Sequence, residues 1–508
     1  MFPWLTVIGA LPLVGALIIW LLPEALAERG KQVAVGASLL TLAATIGMTT
    51  QFRVHEQGYQ FTETHPWISQ LGVSYALGVD GIALTMVLLS VILVPVCVLA
   101  SWREVDGRAA QHFMALLLIL ETFMIGVFAA RDVFLFYVFF EGMLIPVYFL
   151  IGVFGGERRR YAAVKFLIYS LVGGLLMLVA VIGLYAAGPG GPHGFLVSEL
   201  TGLHFSSAGM ERWLFVGFFF AFAVKAPLWP VHTWLPDAAA EAPPGVAVLL
   251  VGVLDKVGTF GMLTLCLPLF PDAARWAGPV IIVFAVISVI YGALVAIAQT
   301  NLMRLIAFTS VSHFGFIVLG VFAFTSVGQN GATLYMVNHG FSTAALFLLG
   351  GMLVARRGSQ RIGDYGGLQR ATPLLAGTFL LAGLSSLALP GTSSFISEFL
   401  VLVGTFARYP VPAIIATLGI VLAAFYILLT YKRIFTGPVL DFSAGWKDLS
   451  LREGWVVAPL LAVILVLGVY PRPVLELLQP AVERTMQSVH VSDPKPSVEV
   501  AGTTGGPK

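Results

Sequence analysis

Charge is scarce in this chain. Of its 508 residues only 11% are Asp, Glu, Lys or Arg, whereas 58% are hydrophobic. Soluble domains carry about 25% charged residues, so a soluble fold is excluded. Cysteine is nearly absent: Cys97 and Cys266 stand alone in apolar runs, with no CxxC or Cys/His spacing. They read as packing residues, and the chain is expected to hold no metal, iron–sulfur cluster or disulfide framework. Net charge is only +2, with no basic block and no aromatic–basic interleaving, which removes nucleic acid as a partner. A Gly-rich phosphate loop is also missing, so nucleotide chemistry belongs elsewhere. The N-terminus has no basic leader region or small-residue cleavage motif, and Met1 is expected to lead directly into the first span.

What the chain has in abundance is long apolar runs. Fourteen of them, each near 20 residues, follow one another between polar or Gly/Pro punctuation; about 20 residues are needed to cross a bilayer. The pattern predicts an all-α polytopic membrane protein with 14 transmembrane helices. Run seven (211–236) carries Pro227 and Pro230 at its middle, which should free the carbonyls of Ala223 and Ala226. Run twelve (372–406) is too long for one span and contains Pro390-Gly391. Both read as broken helices, and two breaks five spans apart are the pattern of two inverted five-helix repeats. The implied organisation is three spans in 1–111, a first repeat in 112–268, a second in 276–436, a last span at 454–471 and a polar, mobile tail at 472–508. Arg158, Arg159, Arg160, Arg356, Arg357, Arg361 and Arg370 fall in loops on one side. The positive-inside rule therefore places both termini on the outer side of the membrane.

Against this background, ionisable residues deep in the spans stand out. Glu141, Lys225, Lys256, His313, His339 and Glu398 each lie about ten residues from the nearest helix end, roughly 15 Å into a ~30 Å hydrocarbon core. A charge at that depth costs about 2.5–3.5 kcal/mol even on lenient insertion scales, so a functional role is the first expectation. Glu141 and Glu121 stand at equal depth on the two arms of the hairpin that turns at Arg131-Asp132. Either could instead be a protonated carboxyl bonded to backbone. Lys225, in FAVKAPLWPVHTWLPDA, is too deep to snorkel and is the expected cation for Glu141. His232 and Asp237 in the same segment lie nearer the inner surface and could simply secure a helix end.

Lys256 sits mid-span in VLLVGVLDKVGTFGM with Asp255 beside it. The bland alternative there is a local ion pair, although neighbours on a helix point about 100° apart. Gly258 and Gly261 suggest a closely packed neighbour. His313 and His339, amid Ser310, Ser312, Asn338 and Ser342, suit a proton relay because imidazole titrates near neutrality. The bland alternative for each is a satisfied interhelical hydrogen bond. Lys165, five residues from Arg160, could relay protons or snorkel inward.

The segments FYVFFEGMLIP, VKFLIYS, KAPLWPVHTWLPDA, LLVGVLDKVGTFG, TSVSHFGF, NHGFSTAALF and PGTSSFISEF resemble, in order, the antiporter-like subunits of respiratory complex I, the proton-pumping NADH:quinone oxidoreductase. Glu398, where sister L and N chains carry lysine, makes the M type (mitochondrial chain 4) the nearest resemblance. The resemblance implies that Glu141 and Lys225 form a coupling pair, that Lys256 is the central site, that His313 and His339 are links and that Glu398 is the exit carboxyl. Asp255 departs from the family pattern. The resemblance also implies a bacterial plasma membrane and other membrane-arm subunits as partners, with L-type and N-type chains on either side. FMN, iron–sulfur clusters and quinone would belong to partner subunits. Rival readings are a subunit of a multi-chain sodium/proton antiporter, a membrane-bound hydrogenase or formate-linked complex, and a structural scaffold.

Overall fold

A computed structural model describes residues 2–443 and 445–494. The chain begins with α1 (Trp4–Leu21) and α2 (Arg29–Thr49), followed by strands β1 (Gln60–Ile68) and β2 (Val73–Val79). Next come α3 (Gly81–Ala100), α4 (Gly107–Ala129), α5 (Val133–Gly142), α6 (Leu144–Phe154), α7 (Arg159–Ala187), the short α8 (Val197–Leu200), α9 (Ala208–Lys225) and α10 (Trp234–Glu241). A third group is α11 (Pro244–Leu249), α12 (Asp255–Gly261), α13 (Leu267–Leu269), α14 (Pro271–Ala298), α15 (Leu302–Phe322) and α16 (Ser326–Arg357). The chain closes with α17 (Leu368–Ala371), α18 (Pro373–Ser386), α19 (Ser393–Arg408), α20 (Pro410–Phe435), α21 (Leu451–Val469) and α22 (Arg472–Ser488).

Among the described residues, twelve helical stretches are long and apolar enough to cross a membrane. Local chemistry sets their starts. The Asp80 carboxylate accepts from the Ala83 N–H ahead of α3, Asp132 from Phe134 and Leu135 ahead of α5, and Asn301 from Arg304 ahead of α15. Each satisfies a donor that the first helical turn leaves free. The stretch 244–269 and α15 are wholly enclosed, while α7 and α20 turn Ile168, Val179, Ile182, Ile414, Val421 and Phe425 outward. A helix apolar on all sides with one face open suits lipid contact.

The two breaks share one backbone device. At the end of α9 the Leu228 N–H reaches back to the Ala223 carbonyl (3.0 Å), and at the end of α18 the Leu389 N–H reaches back to Leu384 (3.0 Å). Each is an i→i+5 closure. Pro227 therefore does not leave the Ala223 carbonyl free as expected, because the next N–H along takes it. The neighbouring Val224 carbonyl accepts from the Trp234 indole at 2.9 Å. In the second case the break sits just before Pro390, with Ala388 at φ +57° and Gly391 at φ +92°. Met143, between α5 and α6, marks a lesser interruption three residues before Pro146.

The chain is predominantly helical, as expected of an all-α polytopic membrane protein, with one antiparallel hairpin, β1–β2, between α2 and α3 that turns through Gly72 at φ +70°. One expectation is corrected. Residues 472–488 are not a mobile tail but the amphipathic helix α22. Leu478, Ala481, Val482 and Met486 are buried there, and the helix packs on α3 and α16. Arg484 pairs with Asp80 and lies 4.3 Å from the centre of the Tyr59 ring, which Arg131 also meets, at 3.2 Å. Residues 495–508 of the expected tail lie outside those described.

Candidate functional site

The enclosed stretch 244–269 is the axis of the site. It is α-helical only in part, because Leu250–Leu254 and Met262–Cys266 on either side of α12 are wound as π-helix. Such wide turns recur at functional positions, since they re-aim side chains without ending the helix. Lys256 follows the first of them and is fully buried. Its ammonium donates to the Val251 carbonyl (2.6 Å), meets His339 Nδ1 (2.6 Å) and lies 4.9 Å from the centre of the Phe314 ring. No carboxylate lies within salt-bridge distance among the described residues. The local ion pair with Asp255 does not form: neither Asp255 oxygen has a hydrogen-bond partner, although the residue is fully buried.

From Lys256 the polar groups continue away from α12. His339 on α16 touches Ser310 through Nε2 at 3.2 Å, and its ring lies 5.2 Å from that of His313 on α15. His313 Nε2 meets the Tyr426 hydroxyl at 3.2 Å, and its ring lies 5.8 Å from that of Tyr335. The Tyr335 hydroxyl donates a hydrogen bond to Glu398 on α19. Lys256, His339, His313, Tyr335, Tyr426 and Glu398 are thus one buried cluster drawn from five elements. Sequence reasoning missed Tyr335 and Tyr426, because a tyrosine in an apolar helix is ordinary. Beside this row, Asn338 donates to the Ser393 carbonyl (2.6 Å), and the Ser342 hydroxyl contacts those of Ser385 (2.7 Å) and Ser394 (3.3 Å) across the second break.

Glu141 and Lys225 form a separate, looser group. They do not pair within 4.0 Å, and both Glu141 Oε1 and Lys225 Nζ lack hydrogen-bond partners. The Lys225 ammonium sits 5.3 Å from the centres of both Phe140 and Phe166. Glu141 lies against Gly174 on α7, where a methyl group would overlap its carboxylate. Gly173, next along, faces Ala221 and Val224 of α9. The Gly173-Gly174 pair therefore makes the space between the carboxylate and the lysine helix, a role that glycine in a span does not advertise. Gly258 and Gly261 are closely packed as expected. A Cβ at Gly258 would lie 2.5 Å from the Phe222 carbonyl oxygen and 2.6 Å from the Ala226 nitrogen.

The remaining expected residues sort differently. Lys165 neither snorkels nor joins the buried row. It bonds Asp237 at 2.6 Å, and Arg304 holds the same carboxylate from α15. His232 is buried against Tyr291 (5.1 Å) and Phe308 (6.3 Å), with both ring nitrogens unpartnered. Glu121 is fully buried, its two oxygens also unpartnered, apart from the Lys256 cluster. Cys97 and Cys266 are buried and unpaired.

The molecule is thus a helical bundle with two interrupted helices and a lysine–histidine–carboxylate row inside it. Residues 130–424 match the family described as NADH:quinone oxidoreductase/Mrp antiporter, TM, and residues 41–127 match NADH-ubiquinone oxidoreductase chain 4, amino terminus. The chain belongs to this family, in its subunit M (chain 4) branch. It is 49% identical to NADH-quinone oxidoreductase subunit M of Mycobacterium tuberculosis (strain ATCC 25618 / H37Rv), covering 98% of this chain and 96% of that protein. A chain of respiratory complex I from Thermus thermophilus with bound NADH superposes with TM-score 0.86 at 32% identity, covering 96% of this chain and 99% of that one. A chain of the Mrp complex from Dietzia sp. DQ12-45-1b shares the fold alone, with TM-score 0.81 at 22% identity over 95% of this chain and 99% of that one.

Proposed function

We propose that this chain is a proton-translocating membrane-arm subunit of NADH:quinone oxidoreductase, carrying protons outward while the redox chemistry runs on other subunits. The observation that carries the reading is the buried run Lys256–His339–His313–Tyr335–Glu398 inside a chain of this family. A lysine and a carboxyl can each hold a proton, and imidazole can pass one on by accepting at one ring nitrogen and donating from the other, so the row offers successive stations. Glu141 and Lys225 act as the gate. A conformational or electrostatic signal alters their separation, and an uncompensated Lys225 drives the proton load on Lys256 toward Glu398. Moving one proton against 100 mV requires about 2.3 kcal/mol. Fully separating unit charges that start about 6 Å apart at an effective dielectric near 20 changes the energy by about 2.8 kcal/mol, so the scale is sufficient.

In this reading the twelve long apolar stretches and the two broken helices make fourteen spans, arranged as inverted repeats over 112–268 and 276–436. The matching i→i+5 closures at Leu228 and Leu389 support that symmetry. Both termini face outward from a bacterial plasma membrane. L-type and N-type chains flank the subunit, and FMN, iron–sulfur clusters and quinone reside on partners. A sodium/proton antiporter subunit is the rival that shares the fold, and sodium dependence of transport separates the two. The direct test is proton pumping by the reconstituted complex with Lys256→Met or Glu398→Gln. Assembly is retained and pumping lost; pumping at the wild-type level overturns the reading.

A further inference from the structure

We propose that Asp255 is a positioning residue, a counter-charge shared between Lys225 and Lys256 that transmits the state of the Glu141–Lys225 gate to the central lysine. The proposal deepens the function proposed above and rests on it.

Asp255 is fully buried, and neither carboxyl oxygen has a hydrogen-bond partner. Burying a carboxyl in this way is expensive, and an apolar side chain of similar size would be the stable choice at that place. Its position explains the expense. Asp255 opens α12, directly after the π-wound Leu250–Leu254. Gly258, one turn on, is pressed against the Phe222 carbonyl and the Ala226 nitrogen at the end of α9. Residues three apart share a helix face, so Asp255 lies on the face of α12 that meets α9, where Lys225 is the last helical residue. Asp255 is thus placed between the two lysines, next to Lys256 along α12 and on the face turned to the end of α9 that carries Lys225. On its other side Lys225 lies 5.3 Å from the ring centre of Phe140, the residue before Glu141, whereas Lys256 is held by a carbonyl and an imidazole rather than by an acid.

Two lysines and two carboxylates thus alternate in order: Glu141, Lys225, Asp255, Lys256. With Glu141 close to Lys225, the charge of Asp255 falls on Lys256 and holds its proton. With Glu141 withdrawn, Lys225 takes Asp255 as its counter-charge. Lys256 then transfers a proton to His339 Nδ1: one N–H bond breaks on the lysine, one forms on the imidazole, and nothing else is consumed. A direct Lys225–Lys256 repulsion would act in the same sense but would not hold the proton in the resting state.

The test uses the assembled complex in sealed vesicles, with NADH and quinone supplied and pumping expressed per assembled complex. Asp255→Asn preserves size and shape, and there is no hydrogen bond for the amide to disturb. Pumping is expected to fall at least tenfold, to the level of Lys256→Met. The double variant Asp255→Asn/Lys225→Met should be no worse than Lys225→Met alone, as for residues acting in one chain. Asp255→Glu keeps the charge and should retain pumping; if it assembles yet pumps no better than Asp255→Asn, the proposal is overturned. Should the amide prevent assembly, Asp255→Ser, smaller and neutral, carries the same expectation. Wild-type pumping in either neutral variant, alongside loss in Lys256→Met, overturns the role of Asp255 and leaves the proposed function standing. Wild-type pumping in Lys256→Met as well removes both.

Discussion

Gly174→Ala is the most discriminating substitution in this chain. The added methyl group would overlap the Glu141 carboxylate, whose flexible end is the part that must yield. Restoring ordinary contact of about 3.5 Å displaces the carboxylate by roughly 2 Å. At an effective dielectric near 20, moving a unit charge from about 6 to about 8 Å from a lysine lowers their attraction from ~2.8 to ~2.1 kcal/mol. The difference of ~0.7 kcal/mol is roughly threefold in rate. Alanine is also a better helix former than glycine by about 1 kcal/mol, so stability should hold or rise. The expected result is a complex of undiminished thermal stability whose pumping in vesicles is slowed about threefold. Pumping at the wild-type rate, in a variant whose assembly is intact, would refute the placement of Glu141 as a gate.

Four further outcomes follow from the geometry. Tyr335→Phe removes the donor to Glu398; a hydrogen bond is worth about 0.5–1.5 kcal/mol, so pumping should fall roughly two- to tenfold while the complex still assembles. Gly258→Ala meets backbone rather than a side chain, and about 1–3 kcal/mol of overpacking should lower the thermal midpoint of the isolated complex. Lys165→Met should be mild because Arg304 still holds Asp237, whereas Lys165→Met/Arg304→Leu strands that carboxylate and should cost about 3–5 kcal/mol, read as loss of the subunit from the complex. Arg484→Ala removes the ion pair with Asp80 at the start of α3, and limited proteolysis should then cut within 472–494 faster than in the wild type.

The parts of this fold legible in the sequence are those where a residue contradicts its surroundings. A lysine or histidine in an apolar run has few structural excuses, so Lys225, Lys256, His313, His339 and Glu398 could be singled out without coordinates. Proline inside a span is equally conspicuous, although the break near Pro390 begins earlier, at Ser386. Residues that agree with their surroundings stayed hidden. Tyr335 and Tyr426 look like packing aromatics, Gly174 like any small residue in a span, and the π-wound turns around α12 lie in a stretch apolar apart from Asp255, Lys256, Thr259 and Thr264. The hairpin at 60–79 lacks a two-residue Asn-Gly or Asp-Gly turn, the strongest short-range signal for one. For α22 the spacing of Leu478, Ala481, Val482 and Thr485 marks a helical face. The polar composition around it argued for a tail, and periodicity was the better guide.

Ser342 stands where the two halves of the second broken helix come together, its hydroxyl shared between Ser385 and Ser394. Each O–H can point at either neighbour, so the trio has two orientations that differ only in where the hydrogens sit. No heavy atom need move to exchange them. A row of this kind has no built-in polarity, and its sense is set by whichever end offers the stronger acceptor at that moment.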